Sequence, residues 1–491
     1  MPKPRRASAS AHSSCSSCLA AIWKARDVIP LRLRVLPGLT LGAALLLSAC
    51  APPEEILPGE RFDPRATAEA VEAFDPEAPL PTEPLPQPPT RIPARPYVVT
   101  GEAPRLSLPA ARANAEWTHV GGSATHEIVH PALGSTLTRV WSTQIGQAAT
   151  RRVRPTADPV VASGRVFTLG AFSTVQATSV NGAALWSRDL TPPGERPGEA
   201  AGGGLAVEGN RLYVTTGYGR LHVLDATSGA MVWTQALDAV PNSAPTVSGD
   251  IVYLTTRGSE ALALDRETGR VLWRLSAGES GSFTSDGASP AVSGRTVLFP
   301  FGSGDVIAAL RLGGVRLWST TVTGERVGRA YAQVTDITGD PVISGNTAYI
   351  GTPTGRLAAV DMGTGERNWT AGEGATSAVT VAGGSVFLVS DQRELMRLSA
   401  RDGSTIWSGT LPFYITEKVR ARRGVYAHYG PLLAGGRLIV ASSDGMLREF
   451  DPASGALLRA TDLGSPAVAA PVVAGRTLFI VTENGTLHAF R

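Results

Sequence analysis

From about Pro159 to the last residue the chain alternates apolar and polar side chains in short bursts. Arg211-Leu-Tyr-Val-Thr-Thr216 and Thr347-Ala-Tyr-Ile-Gly-Thr352 are typical. A period of two over five or six residues predicts β-strands with one side in a core. Between the bursts lie repeated turn signals, Asp225-Ala-Thr-Ser-Gly229, Asp265-Arg-Glu-Thr-Gly269, Asp361-Met-Gly-Thr-Gly365 and Asp451-Pro-Ala-Ser-Gly455. In each, the Asp carboxylate is placed to accept backbone N–H groups of the turn, and the Gly four residues on supplies a positive φ. A tryptophan follows the Asp by eight residues in the first three (Trp233, Trp273, Trp369), just inside the next predicted strand.

Setting Trp186, Trp233, Trp273, Trp318, Trp369 and Trp407 in one column gives intervals of 38 to 51 residues, with a Val-Ser-Gly, Ala-Gly-Gly or similar turn about 25 residues before each. One such unit cannot bury a face carrying so large a ring, but stacked units can. Units of this length with four short strands predict the blades of a β-propeller, an all-β fold. Segments of this kind begin near Pro159, Gly203, Ala244, Ser289, Pro341, Ala378, Gly430 and Ala470, which predicts eight blades. The last stops at Arg491 before any Trp-bearing strand, whereas Thr138-Arg-Val-Trp141-Ser-Thr-Gln-Ile145 has that pattern with no unit before it. This N-terminal strand is therefore expected to complete the final blade, which closes the ring and removes an exposed sheet edge. In the seventh unit Arg459 stands where a Trp is expected.

The first 116 residues have a different character. Val35 to Ser48 are apolar or small, follow a basic stretch and end at Leu47-Ser48-Ala49-Cys50. A run of about 14 such residues is short for a membrane-spanning helix and reads as a signal peptide over 1–49. The four residues resemble the bacterial lipobox, which implies cleavage before Cys50 and lipid attachment to it; an ordinary secretory peptide is the alternative. Pro52, rather than Asp, follows at the second position, which favours delivery to the outer membrane. Cys15 and Cys18 form a C-x-x-C pair that would leave with the signal peptide. Nine prolines between Pro76 and Pro96 make 50–116 a linker, extended over roughly 60 Å in its Pro-rich part. The folded part is expected to span 117–491.

Composition narrows the function. The formal charge of +3 hides a net +6 within the first 50 residues, leaving about −3 for the rest, so no basic stripe points to nucleic acid. All three cysteines precede residue 51, which removes disulfides, thiolate metal sites and a Cys nucleophile from the folded part. Neither a Gly-x-Ser-x-Gly elbow nor a phosphate loop occurs. His119, His126 and His130 cluster ahead of the first blade, as packing or surface histidines or as a metal site. Phe413 to Tyr429 combine aromatic residues with Lys418, Arg420, Arg422 and Arg423, either a recognition loop or a solvated insertion.

The Trp units resemble the quinoprotein-type tryptophan-docking repeat, and the layout of lipobox, linker and eight blades is similar to the BamB family of outer-membrane lipoproteins. That resemblance implies a non-catalytic scaffold without cofactor. It also implies a monomer within the β-barrel assembly machinery, anchored by lipid to the periplasmic face of the outer membrane. Its implied partner is a BamA-type assembly protein, bound through that protein's periplasmic domains. An acidic contact pair of the family maps to Asp336 and Thr338, only the first of them acidic, and a Leu- and Arg-rich contact loop maps to Gly281 to Asp286, which has neither residue type. A general periplasmic scaffold with another partner is the rival reading. A quinone-dependent dehydrogenase would need a quinone pocket, a Ca²⁺ site and in many members a vicinal Cys pair, which the folded part lacks.

Overall fold

A computed structural model describes residues 105–491 except 151, 152, 156, 279–286, 325, 327–334 and 417. The expected signal peptide, Cys50, the linker as far as residue 104 and the loop 281–286 lie outside the described residues. All described residues belong to one of the chain's two compact units, 87–491. Among them no helix is long and apolar enough to cross a membrane.

Eight four-stranded antiparallel sheets make up the fold. Blades one to seven run in chain order over 160–189, 203–236, 246–276, 291–321, 342–371, 380–410 and 428–462. Blade eight takes its inner three strands from Val472–Ala474, Thr477–Thr482 and Thr486–Phe490, and its outer strand from Arg139–Gln144. The fold is thus the eight-bladed propeller expected from the sequence, with the N-terminal strand in the expected place. Trp141 of that strand sits opposite Ala489.

Burial along the strands departs from the simple alternation. The outer strand Met231–Ala236 alternates between exposed and half-buried residues, but Arg211–Thr216 and Thr347–Thr352 are buried from their second residue to their last. The expectation that one side of each strand faces a core is therefore corrected for the middle strands. Each radial sheet is sandwiched between two others, so both of its faces are covered, and small or β-branched residues fill them.

The turns and the tryptophans form one joint. In the turn of blade two, Asp225 Oδ1 accepts the N–H groups of Thr227 and Ser228 at 3.1 and 2.8 Å; Asp265, Asp361 and Asp451 do the same in blades three, five and seven. The turn glycine then has φ between +71° and +77° in these four. Against it lies the Trp ring of the preceding blade. A Cβ on Gly229 would come within 2.6 Å of Trp186, on Gly269 within 2.7 Å of Trp233, on Gly365 within 2.6 Å of Trp318 and on Gly455 within 2.7 Å of Trp407. Gly182, Gly314 and Gly403 receive Trp141, Trp273 and Trp369 in the same way. Six of the seven indole N–H groups donate to the carbonyl a few residues before the glycine, as Trp186 does to Ala226 at 3.2 Å and Trp369 to Ala400 at 2.9 Å. Trp273 is the exception because the equivalent carbonyl, that of Arg311, accepts the Tyr253 hydroxyl at 3.0 Å.

The joint between blades seven and eight is built differently. Arg459 pairs across the sheet with Glu449, in the register that Trp233 shares with Val223 and Trp273 with Ala263. Buried Glu449 also binds Arg437 at 2.6 Å, with Arg459 at 3.5 Å. A tryptophan here would have no turn to dock on. The third and fourth strands of blade eight come from distant parts of the chain, and Thr138 and Arg491 exchange backbone hydrogen bonds of 2.8 and 3.0 Å where a turn would run.

Candidate functional site

The innermost strands line a central channel. Their inward edges would leave backbone groups unpaired, and the segment from Asn114 to Pro131 covers them blade by blade. Trp117 and Val161 of blade one exchange two hydrogen bonds of 2.7 Å. Val207, Val292 and Ile343 donate to the carbonyls of Thr118, Ala124 and Thr125 at 2.7 to 2.9 Å. Val247 of blade three donates to His119 Nε2 at 3.1 Å. Asn114 bonds blade eight through Val473 and Gly475, and Gly435 and Gly436 of blade seven donate to the Pro131 carbonyl and His130 Nε2. Leu106 and Leu108, within the expected linker, pack against the apolar cluster of blades six and seven. This belt thus runs along the inner strands from blade eight round to blade seven.

The three histidines of the belt are therefore packing residues bonded to backbone, and among the described residues no three His, Cys, Asp or Glu side chains are placed to share a metal ion. Burial lowers His119 to about 3 and His126 to about 4, so both rings are neutral. For His126 the hydrogen bond fixes the tautomer. His126 donates from Nδ1 to the Pro341 carbonyl at 2.9 Å, which leaves its Nε2 a bare acceptor, whereas His119 Nε2 lies 3.1 Å from both the N–H and the carbonyl of Val247.

Above the belt is a cavity of about 220 Å³, lined by the residues that lead into the innermost strand of all eight blades and by Trp117, His126 and Ile128 of the belt. Two carboxylates enter it from opposite blades, Asp158 of blade one and Asp340 of blade five. Each precedes the proline that opens its blade. One oxygen of each is engaged, Asp158 by the Ala470 N–H and Asp340 by the Ser289 N–H, both at 2.7 Å. Burial raises Asp158 to about 7, with the charge of Asp340 across the channel adding to the shift, and raises Asp340 to about 6.

The other expected site residues fall elsewhere. The repeat Trp, Asp and Gly residues lie at the joints between blades. Asp336 is fully buried beside Ile337, whose carbonyl holds the Ala288 N–H at 3.0 Å. An expectation of direct partner contact through Asp336 is thus corrected: the segment is pinned to the neighbouring blade and the carboxylate is out of reach of a docking surface. By contrast the loop between blades six and seven is well presented. Ile415 and Val419 are 58 and 69% exposed, and Lys418, Arg420 and Arg423 are exposed beside them. Its base is held by stacking, with the Arg422 guanidinium 4.8 Å from the Tyr414 ring and that of Arg393 5.7 Å from Phe413. Sequence reading singled out this loop but passed over Asp158 and Asp340; their shared Asp-Pro dipeptide was the available signal.

Comparison with known proteins bears on what this scaffold serves. Residues 171–409 and 418–491, more than half of the chain, match the family model described as outer membrane protein assembly factor BamB. The chain belongs to the BamB family. Its relatives include the outer membrane protein assembly factors BamB of Moranella endobia, 24% identical over 67% of this chain and 84% of that protein, and of Yersinia pestis, 24% identical over 72% and 88%. Among solved structures, BamB from Moraxella catarrhalis superposes with a TM-score of 0.61 at 20% identity, covering 72% of this chain and all of that one. A quinohemoprotein alcohol dehydrogenase from Pseudomonas putida shares the fold at TM-score 0.58 and 15% identity, over 77% of this chain and 80% of that one. The BamB match is interrupted at 410–417, within the exposed loop.

Proposed function

We propose that this chain is a non-catalytic scaffold subunit of the outer-membrane β-barrel assembly machinery, anchored through lipid on Cys50 and docked on the periplasmic domains of a BamA-type protein. The family match carries this reading. It is supported by a rigid ring whose exposed loop between blades six and seven pairs apolar tips with positive charge, a composition suited to an acidic and partly apolar protein surface. Asp336, being buried, has no part in that surface, which consists here of Ile415, Lys418, Val419, Arg420 and Arg423.

The test is co-purification of the tagged full-length protein from mild-detergent extracts of its own outer membrane. Recovery of a BamA-type protein in stoichiometric amount, reduced at least tenfold by Arg420→Glu/Arg423→Glu with the fold intact by circular dichroism, is the expected result. A different dominant partner refutes the assembly role, and an unchanged yield with the double variant removes the loop from the interface.

A further inference from the structure

The cavity above the belt has a chemistry that the scaffold role does not use. Carboxylates are the commonest of its titratable groups. Asp158 and Asp340 each hold a backbone N–H, and the Ser289 side chain also bonds Asp340. Glu127 adds a third carboxylate to the lining. His126 is 3% exposed, and its Nε2 has no partner among the described residues. The one guanidinium of the lining, Arg393, is turned to the backbone carbonyls of Tyr426 and Asp391, at 3.1 and 2.7 Å, and to the Phe413 ring. The two aspartates come from blades one and five of eight, which face one another, so the pair brackets the channel axis.

Such a site gathers carboxylates with no uncommitted positive charge, and an occupant would have to bring that charge. A bare metal ion does not suit it, since no three candidate ligands are close enough together. An ammonium or guanidinium carries several N–H donors in a compact charged head and satisfies carboxylates facing it from two sides. The apolar wall of Val342, Val379 and Leu432 suits an alkyl stem, and a cavity of about 220 Å³ has room for roughly seven water-sized groups.

We propose that the central channel binds one alkylammonium or alkylguanidinium group, held between Asp158 and Asp340 with its stem against the apolar wall. The group has two sources with the same chemistry, a free small cation or the end of a Lys or Arg side chain on a partner segment that reaches the channel.

Isothermal titration of the full-length protein with agmatine, n-butylammonium and an unstructured Arg- and Lys-containing hexapeptide tests this. Binding of at least one cationic probe is expected, with none of the neutral analogue pentanamide. Asp158→Asn and Asp340→Asn each keep the acceptor for the Ala470 or Ser289 N–H, and each should weaken binding at least tenfold; the double variant should abolish it. Tighter binding of the free cations assigns a small-molecule ligand, and tighter binding of the peptide assigns a partner side chain. No binding by any cation, or equal binding by the double variant with native near-ultraviolet circular dichroism, overturns the proposal. Neither result depends on BamA recovery, so the two readings fail separately.

Discussion

At the scale of single residues the repeat is a lock between an indole and a missing Cβ. The sequence showed the Trp column and the Asp-to-Gly turns as separate signals. It did not show that the ring of one unit rests on the glycine of the next, because that contact crosses about 40 residues of chain. Glycine is required there twice over, by φ of +71° at Gly229 and by the Trp186 ring 2.6 Å from any added Cβ. Gly229→Ala is expected to cost about 2 to 4 kcal/mol through overpacking and backbone strain, measured by urea denaturation. The same substitution at Gly209, where φ is +58° but nothing lies within 4 Å, should cost only about 1 kcal/mol. Asp158 and Asp340 drew no notice in the sequence, since their meeting depends on the ring placing blades one and five opposite each other.

At the scale of elements, the belt is the part that sequence pattern explained least. His119, His126 and His130 stood out as a cluster, yet their partners lie in blades three, five and seven, far along the chain and invisible to local periodicity. The structure makes His119 and His126 proton-sensitive fasteners. His119 and His126 have folded-state values of about 3 and 4, below the ordinary 6.5. The unfolded chain therefore takes up protons first as pH falls, and the stability held in full above 6.5 is lost progressively towards pH 4. The cost reaches on the order of 3 kcal/mol for each ring. Melting temperatures across pH 7 to 4 should fall steeply for the native chain and more gently for His119→Gln/His126→Gln, whose side chains do not charge. Parallel curves for the two proteins would show that the belt does not control acid stability.

At the scale of the whole molecule, the blade count and the N-terminal origin of the closing strand could be read from the sequence. The Arg459 departure was visible there too, but not its reason. The joint it belongs to faces the one blade with no turn between its third and fourth strands, so an ionic group around buried Glu449 takes the place of the docked ring. Restoring the consensus is therefore not expected to stabilise the protein. Arg459→Trp should lower stability by about 1 kcal/mol, because the half-exposed Arg leaves a buried carboxylate still held by Arg437. A gain in the denaturation midpoint would mean that blade eight offers the ring a seat after all.

The pairing of Thr138 with Arg491 spans 353 positions of sequence, so the ring is fastened by a buckle made from two widely separated stretches of chain. Arg139–Gln144 and Thr486–Phe490 are the two halves of that buckle. Undoing it would bare a sheet edge on each half at once, and a bare edge is a template on which another chain can add a strand. The same pairing that completes the eighth blade therefore also guards the protein against joining to its own copies.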